Sequence, residues 1–439
     1  MPQELVHISA RSMAVKIVLM ILLLVAAIGS YYAVRWYIGN TLADYFNPAQ
    51  ADLTVPQMAA GFAPNDPLTH WRIAQVSQKI LPLDQQAKAI AEYERAVSLS
   101  PNDYRFWMSL GTAHEQSGDS AKGEQALRRA VALAPSYAYP HWYLGNLLLR
   151  SGRYEEAFKE LRRAAEADAE LQPQQFNFLW AIYSENLEAL KTALGESSET
   201  RARFALYLLN QQRHDDGLRV WNSLADEEKK TNREIGNSMV TNLIAARRFH
   251  DAMAVWNDIA ANERYRAEVG KVFDGSFEDA INYGPEMVFG WQVKTAPQLQ
   301  IGIDPTKSNR GARSLRLVFQ VRAKLENMNI SQLVPVAPNS EYDFEYFFTT
   351  EKLETGSAPM IQVFDGTDGG ALATSAQAPS GSNPWTRVSL SFKTTSKTEA
   401  VLIKIMRVNC SEEETETETV ICPIFGSIWY DDFSLKRRR

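Results

Sequence analysis

The chain has 439 residues, 45% of them hydrophobic and 22% charged, and a formal net charge of −6. Such a length exceeds one compact core, so two or three domains are expected, and the composition is that of a folded protein rather than a disordered one. The acidic balance argues against a general nucleic-acid binder, two cysteines alone cannot build a tetrahedral zinc site, and the sequence has no phosphate-cradling Gly-x-x-x-x-Gly-Lys and no Gly-x-Ser-x-Gly elbow.

From Ile17 to Val34 no residue is charged and most are apolar. Eighteen residues at about 1.5 Å each just cross a hydrocarbon core. Arg11 and Lys16 precede the run; Arg35, Trp36 and Tyr37 follow it and suit the interface. The excess of positive charge before the run places residues 1–16 in the cytoplasm and residues 17–38 as a single anchor, with everything after Gly39 on the far side. A cleaved signal peptide is the rival, but its apolar region would be about 7–15 residues long and would end in a small-x-small site. Here the run passes into Ser30-Tyr31-Tyr32-Ala33-Val34-Arg35-Trp36, a poor cleavage context. Residues 39–67 carry Pro48, Pro56, Pro64 and Pro67 with Gly39 and Gly61, which predicts an extended linker with one short helix at most.

Residues 68–268 read as helical repeats. Shifted by 34 positions, Pro101 falls on Pro135, Trp107 on His141, Leu110 on Leu144 and Gly111 on Gly145. Gly118 likewise falls on Gly152, Leu127 on Leu161 and Ala130 on Ala164. A fixed period of this length marks a stacked solenoid. Gly118 and Gly152 fall in the turns between paired helices, where a left-handed backbone is needed. A second, weaker repeat brings Arg213, Asp216, Val220, Trp221 and Asn222 back as Arg248, Asp251, Val255, Trp256 and Asn257. Trp221 and Trp256 are expected in the core.

The spacing Trp107-x-x-Leu110-Gly111, followed by Ala130 and Pro135, resembles the tetratricopeptide repeat. That resemblance implies a groove lined by the first helix of each pair. Arg105, Met108, Thr112, Glu115 and Gln116 would face it in one repeat, and Tyr139, Trp142, Asn146, Leu149 and Arg150 in the next. Tyr139 and Trp142 would anchor a protein or peptide partner. The alternative is that the groove only packs neighbouring helices or the C-terminal domain.

Past Val269 the helical period gives way to alternation with Gly and Pro punctuation. Tyr342, Phe344, Tyr346 and Phe348 alternate along one strand, and residues 313–321, 360–364, 386–392 and 401–408 read as others. Several short strands over residues 270–436 argue for a β-sandwich. The phrases Asp274-Gly-Ser-Phe-Glu278, Phe289-Gly-Trp291, Gly311-Ala-Arg-Ser-Leu315 and Tyr430-Asp-Asp-Phe-Ser-Leu435, in this order, resemble the jelly-roll carbohydrate-binding modules among the galactose-binding-like sandwiches.

The resemblance implies that Glu278 and Asp432 lie together and help hold a structural calcium ion; the alternative is that they bond turn amides. It places Trp291 and Trp385 in the core. Glycan contact would fall on Gln332, Glu345, Phe347, Gln362 and Lys404, with Trp429 a further outward candidate. Cys410 and Cys422 flank an acidic stretch with five glutamates. They form either a disulfide of an oxidising compartment or two buried thiols.

The expected whole is multidomain: a single transmembrane helix, an all-α tetratricopeptide-type solenoid, then an all-β jelly-roll sandwich. The expected function is a non-enzymatic membrane-anchored scaffold of the bacterial inner membrane, its bulk periplasmic, serving cell-envelope or exopolysaccharide assembly. Its expected partners are the membrane, a protein on the repeats and a polysaccharide on the sandwich, with no nucleic acid and no required cofactor beyond the calcium. Two alternatives stand beside it: a glycan-active enzyme with two catalytic carboxylates about 5–10 Å apart in the sandwich, and a purely structural spacer.

Overall fold

The structure is a computed structural model that describes residues 13–47, 52–79, 83–260, 265–279, 287–293, 299–319, 330–408 and 423–438. It divides into two compact units, Met1–Glu196 and Ser197–Arg439. Cys410, Cys422 and the acidic stretch between them lie outside the described residues.

In the first unit, α1 (Met13–Tyr45) runs unbroken for 33 residues, about 50 Å at 1.5 Å per residue. Among the described residues it alone is long and apolar enough to cross a membrane. It continues well past residue 38, where the anchor was expected to end. The extension is held by packing: Gly39 and Ala43 are buried against the hairpin that α2 (Thr54–Phe62) makes with α1. A Cβ on Gly39 would stand 2.6 Å from the Ala63 Cβ and 2.7 Å from the Ala59 carbonyl oxygen, so only hydrogen fits there. Arg35 donates to the Gly61 carbonyl at 2.7 Å, Asn40 to the Asp66 carboxylate at 2.9 Å, and Arg72 to the Ala43 carbonyl at 2.9 Å.

The stretch 39–67 is thus mostly helix packed on helix, not a free linker. Its prolines are tolerated because Pro56 sits in the first turn of α2 and Pro67 opens α3, where no amide donor is required.

The hairpins α3 (Pro67–Ser77) with α4 (Leu83–Leu99), α5 (Tyr104–Gln116) with α6 (Ser120–Leu133), and α7 (Ala138–Arg150) with α8 (Tyr154–Ala167) follow. The unit closes with α9 (Gln172–Tyr183) and α10 (Leu187–Leu194). Asp66, Asp103 and Asp119 each cap a helix by accepting a backbone amide, from Leu68, Arg105 and Lys122.

His141, where the repeat pattern has Trp, is buried and keeps the pattern's hydrogen bond. Trp107 Nε1 donates to the Pro101 carbonyl at 2.8 Å, and His141 Nε2 reaches the equivalent Pro135 carbonyl at 3.0 Å. The second ring nitrogen, Nδ1, pairs with Glu160. His70 repeats the device with Pro64 and Glu92, and the hydrogen bond to the Glu92 carboxylate holds its pKa above the ordinary imidazole value.

In the second unit, α11 (Ser198–Asn210), α12 (His214–Asn222), α13 (Asp226–Thr231), α14 (Arg233–Ala245) and α15 (Phe249–Ile259) precede the strands. Trp221 and Trp256 are core, as expected; their indole N–H groups donate to Asp258 Oδ2 and to the Tyr265 carbonyl, both at 2.9 Å.

The described residues then hold ten strands. One sheet has the order β1-β4-β9-β6-β7, with β1 (Gln292–Val293), β4 (Ile330–Pro335), β9 (Ala400–Met406), β6 (Met360–Asp365) and β7 (Ala371–Thr374). The other has the order β2-β3-β10-β5-β8, with β2 (Leu299–Asp304), β3 (Ser314–Phe319), β10 (Ile424–Arg437), β5 (Glu341–Thr355) and β8 (Gly381–Lys393). All pairings are antiparallel. Tyr342, Phe344, Tyr346 and Phe348 point inward as their alternation predicts, into one core with Ile361, Val363, Val401, Ile403 and Ile405. Trp291 joins that core against Phe433, whereas Trp385, expected with it, is only half-buried on the edge strand β8.

No seam falls at residues 268–270. His250 Nε2 reaches the Val336 carbonyl at 2.9 Å, and Glu399 accepts the His250 backbone amide at the start of α15. The Asn257 amide clamps both backbone groups of Ala267, and the Gln332 amide clamps both backbone groups of Phe273. The connecting segment is therefore stitched to α15 at one end and to β4 at the other.

Candidate functional site

In the first unit a groove of about 840 Å³ opens across α3, α5 and α7. Gln75 and Gln78 come from α3, Ser109, Thr112, Glu115 and Gln116 from α5, and Tyr143 and Arg150 from α7. Its floor is cross-linked by polar rungs. Gln78 donates to Gln116 at 2.6 Å, Tyr93 to Gln78 at 2.8 Å, Trp71 to Ser109 at 2.9 Å, and Arg150 to Glu115 at 2.6 Å. Burial pushes the Tyr93 hydroxyl well above its ordinary pKa, so it acts as a neutral donor.

Four expected groove residues, Thr112, Glu115, Gln116 and Arg150, line this space. The others are elsewhere. Arg105 pairs with Asp103 at 2.6 Å at the start of α5. Met108 and Leu149 pack against the buried cluster of Leu127, Leu144 and Leu147. Trp142 stacks on Phe178 at 6.0 Å and packs beside Ala138, Ala164 and Leu171, and it does not line this space. Asn146 donates to the Trp142 carbonyl at 2.8 Å. Tyr139 is 52% exposed but does not line the groove; of the two tyrosines that do, Tyr93 is buried and Tyr143 is 38% exposed.

Ser109 and Tyr143 stand 143 − 109 = 34 residues apart, the repeat period, so a signal for Tyr143 was present. Gln75 and Gln78 were harder to find. Helix α3 starts 104 − 67 = 37 residues before α5, which breaks the register of 34.

In the sandwich, the five expected glycan residues fall in three places. Gln332 is wholly buried and spent on the Phe273 clamp. Gln362 and Lys404 face each other across β6 and β9, on the outer face of one sheet. Glu345 and Phe347 lie on β5 in the other sheet, where Glu345 pairs with Arg387. Alternation tells inside from outside but not which sheet a strand joins, so these residues, grouped from the sequence, do not form one surface.

Glu278 and Asp432, expected together at a calcium ion, both bond the loop that carries residues 309–313. Glu278 Oε1 accepts the amides of Ala312 and Arg313 at 2.8 and 3.3 Å. Asp432 accepts from Ser276 at 3.0 Å and from the Asn309 side chain at 2.6 Å. Asp431 is wholly buried and accepts the Asn309 and Arg310 amides, and burial pushes its pKa up to about 6. Calcium needs six to eight oxygen ligands. Here N–H and O–H donors take Glu278 Oε1 and both Asp432 carboxylate oxygens, and among the described residues there is no group of three His, Cys, Asp or Glu that could hold a metal ion. These bonds brace the loop that carries residues 309–313.

The tetratricopeptide repeat family matches residues 85–138 and 116–171, and these residues are tetratricopeptide repeats. The E3 ubiquitin-protein ligase CHIP of Arabidopsis thaliana is 34% identical over 76 residues, 17% of this chain and 27% of that protein. The small glutamine-rich tetratricopeptide repeat-containing protein 2 of Mycosarcoma maydis is 25% identical over 127 residues, 29% of this chain and 34% of that protein. The chain thus spans roughly a quarter to a third of the length of these relatives. The CBM22-1 xylan-binding domain from Paenibacillus barcinonensis Xyn10C is similar over 39% of this chain and 97% of that domain, with 13% identity and a TM-score of 0.26.

Proposed function

We propose that this protein is a non-enzymatic scaffold anchored in a membrane by α1, with a protein partner docked in the polar groove of the first unit and a glycan surface on the sandwich. One observation carries the reading: α1 passes without a break from its apolar run into the packed core of the repeats, at Gly39 and Ala43. Arg35, at the end of the apolar run, is itself tied to Gly61. A cleaved leader would give up that contact, so the geometry favours a retained anchor. Because Lys16 precedes the run and the repeats follow it, the orientation is N-terminus cytoplasmic with the bulk outside, in a bacterial inner membrane, and cell-envelope or exopolysaccharide assembly is the process that suits these parts.

The groove suits an extended peptide. Gln75, Gln78, Gln116 and Thr112 offer paired donors and acceptors to a backbone, and Tyr143 offers a ring with a polar tip. The test is affinity capture of cross-linked partners from detergent-solubilised membranes, comparing the native chain with Gln116→Ala/Tyr143→Ala. A specific partner lost from the double variant supports the reading. A partner set identical in both, or a chain that alkaline carbonate strips from the membrane, sinks it.

A further inference from the structure

We propose that the outer face of the β2-β3-β10-β5-β8 sheet binds an acidic saccharide whose sugar rings carry carboxylates. This deepens, and rests on, the reading of the sandwich as a glycan surface.

Two aromatic rings on this face are each overlaid by cations. Lys307 Nζ stands 3.7 Å from the Trp429 ring centre and the Arg316 guanidinium 5.2 Å from it; the Arg310 guanidinium stands 6.0 Å from the Phe347 ring. Trp429 pairs in register with Arg316 on β3 and Thr349 on β5. Two residues on, Asp431 pairs with Phe347, which pairs with Arg387 on β8. Trp429 and Phe347 are therefore diagonal neighbours on one face, about 7–8 Å apart by the geometry of such pairs. The cations form a track from β3 through the loop braced by Asp431 and Asp432 to β8, each of them beside a carboxylate.

At the Phe347 end the track opens into a cleft of about 390 Å³, with Arg310, Arg387 and Lys436 around the ring. That is at the lower end of the size of small-molecule sites. Arg310 and Arg387 keep 77% and 60% of their side chains exposed; Arg387 pairs with Glu345 and Arg310 stands 4.0 Å from Asp432, so each guanidinium meets a ligand with the donors its own carboxylate neighbour leaves over.

The chemistry selects the ligand. The half-buried Phe347 ring stacks on the apolar side of a pyranose, whereas Trp429, 3% exposed beneath Lys307 and Arg316, only seats the cations, and a guanidinium takes a carboxylate through two parallel hydrogen bonds. Glu345 and Asp432, in the same cleft, would accept hydroxyl hydrogens from the sugar. The same two acids would repel a densely charged polyanion such as nucleic acid, so the mixture fits hydroxyl groups beside sparse carboxylates. The outer face of the other sheet contrasts with it: its register row Gln292, Ser331, Lys404, Gln362 and Thr374 carries one charge.

The test uses the full chain in detergent and isothermal titration with galacturonate oligomers, neutral cello-oligomers of equal length and a short DNA duplex. The expected result is galacturonate binding that weakens with salt, with no comparable binding of the other two. Arg310→Ala and Arg387→Ala should each weaken it by about tenfold, the worth of one charge-assisted hydrogen-bonded contact. Arg387→Lys should recover part of that loss, and a thermal melt checks that each variant folds. Equal binding of DNA, or galacturonate binding indifferent to both arginines, overturns the proposal. Neutral-glycan binding indifferent to both arginines overturns it while leaving the broader glycan reading standing; binding of no glycan sinks both.

Discussion

The helical pairs of the two units turn in the same way with different residues in the turn. In the first unit Gly118 and Gly152 hold φ of +90° and +73°; in the second, Gln212 and Arg247 hold +61° and +60° at the same place. The hydrogen bonds are identical in kind. The amides of Asp119, Arg153, Arg213 and Arg248 each reach back to the carbonyl five residues earlier, at 2.9 to 3.0 Å. This is the Schellman closure, which needs one left-handed residue after the helix. The fold therefore demands the conformation, and the regular repeats meet it with the residue that adopts it without strain, while the irregular ones do not. The arrays differ also in what they are fastened to: the first to the apolar helix α1, the second to the sandwich.

The firmest way to break that contrast is to cut each fastening. Gly39→Leu would force side-chain atoms into the Ala63 Cβ and the Ala59 carbonyl, and backbone on one side of the contact cannot yield cheaply. A loss of about 1–3 kcal/mol is expected for such overpacking. Protease cleavage between α1 and α2 should rise in nanodisc-held protein, with the second unit's melting unchanged. Equal protection of variant and native chains would mean that α1 and the repeats are not a packed body.

His250→Ala is the counterpart in the second unit. It removes the donor to the Val336 carbonyl, a loss of about 1–2 kcal/mol. Hydrogen exchange should quicken along α15 and at the end of β4 but not in α5 or α7. Exchange raised throughout the chain would show that the fastening is not local.

The same contrast explains what could be read from the residues alone. Gly118 and Gly152 sit one period apart and advertise their turns; Gln212 and Arg247 carry no such mark, so the weaker repeat is visible through the helix after the turn, from Arg213 to Asn222 and from Arg248 to Asn257, and not through the turn itself. The alternation of β5 foretold which of its side chains face the core. It could not foretell that β5 and β6 lie in different sheets, because strand partners are chosen by contacts far apart in the chain. The reach of α1 past Gly39 is hidden in the sequence for a related reason. A glycine followed by prolines reads as a loop, whereas here it is the hydrogen-sized gap that lets two helices touch. In the groove, Thr112, Glu115, Gln116 and Arg150 followed from the repeat, but Trp142 did not: at its position Phe178 of α9 supplies a packing partner, which a pattern drawn from one repeat cannot reveal.

The finest test exchanges the turn residues themselves. A Cβ at Gly118 would meet nothing within 4 Å, so Gly118→Ala changes conformation cost alone. Holding alanine left-handed costs roughly 1–2 kcal/mol. Gln212→Gly should work in the other direction: relief of a similar strain is offset in part by the greater freedom of glycine in the unfolded chain, about 0.5–1 kcal/mol, which leaves a gain of under about 1 kcal/mol. Exchange of the Asp119 and Arg213 amides reads the two turns separately, since each amide closes its own 2.9 Å bond. Faster exchange at Asp119 in the alanine variant and slower exchange at Arg213 in the glycine variant would show that the arrays share one backbone requirement met unequally. If Gln212→Gly instead loosens its turn, the glutamine side chain holds the irregular array by a contact of its own, and the likeness between the two arrays ends at the backbone.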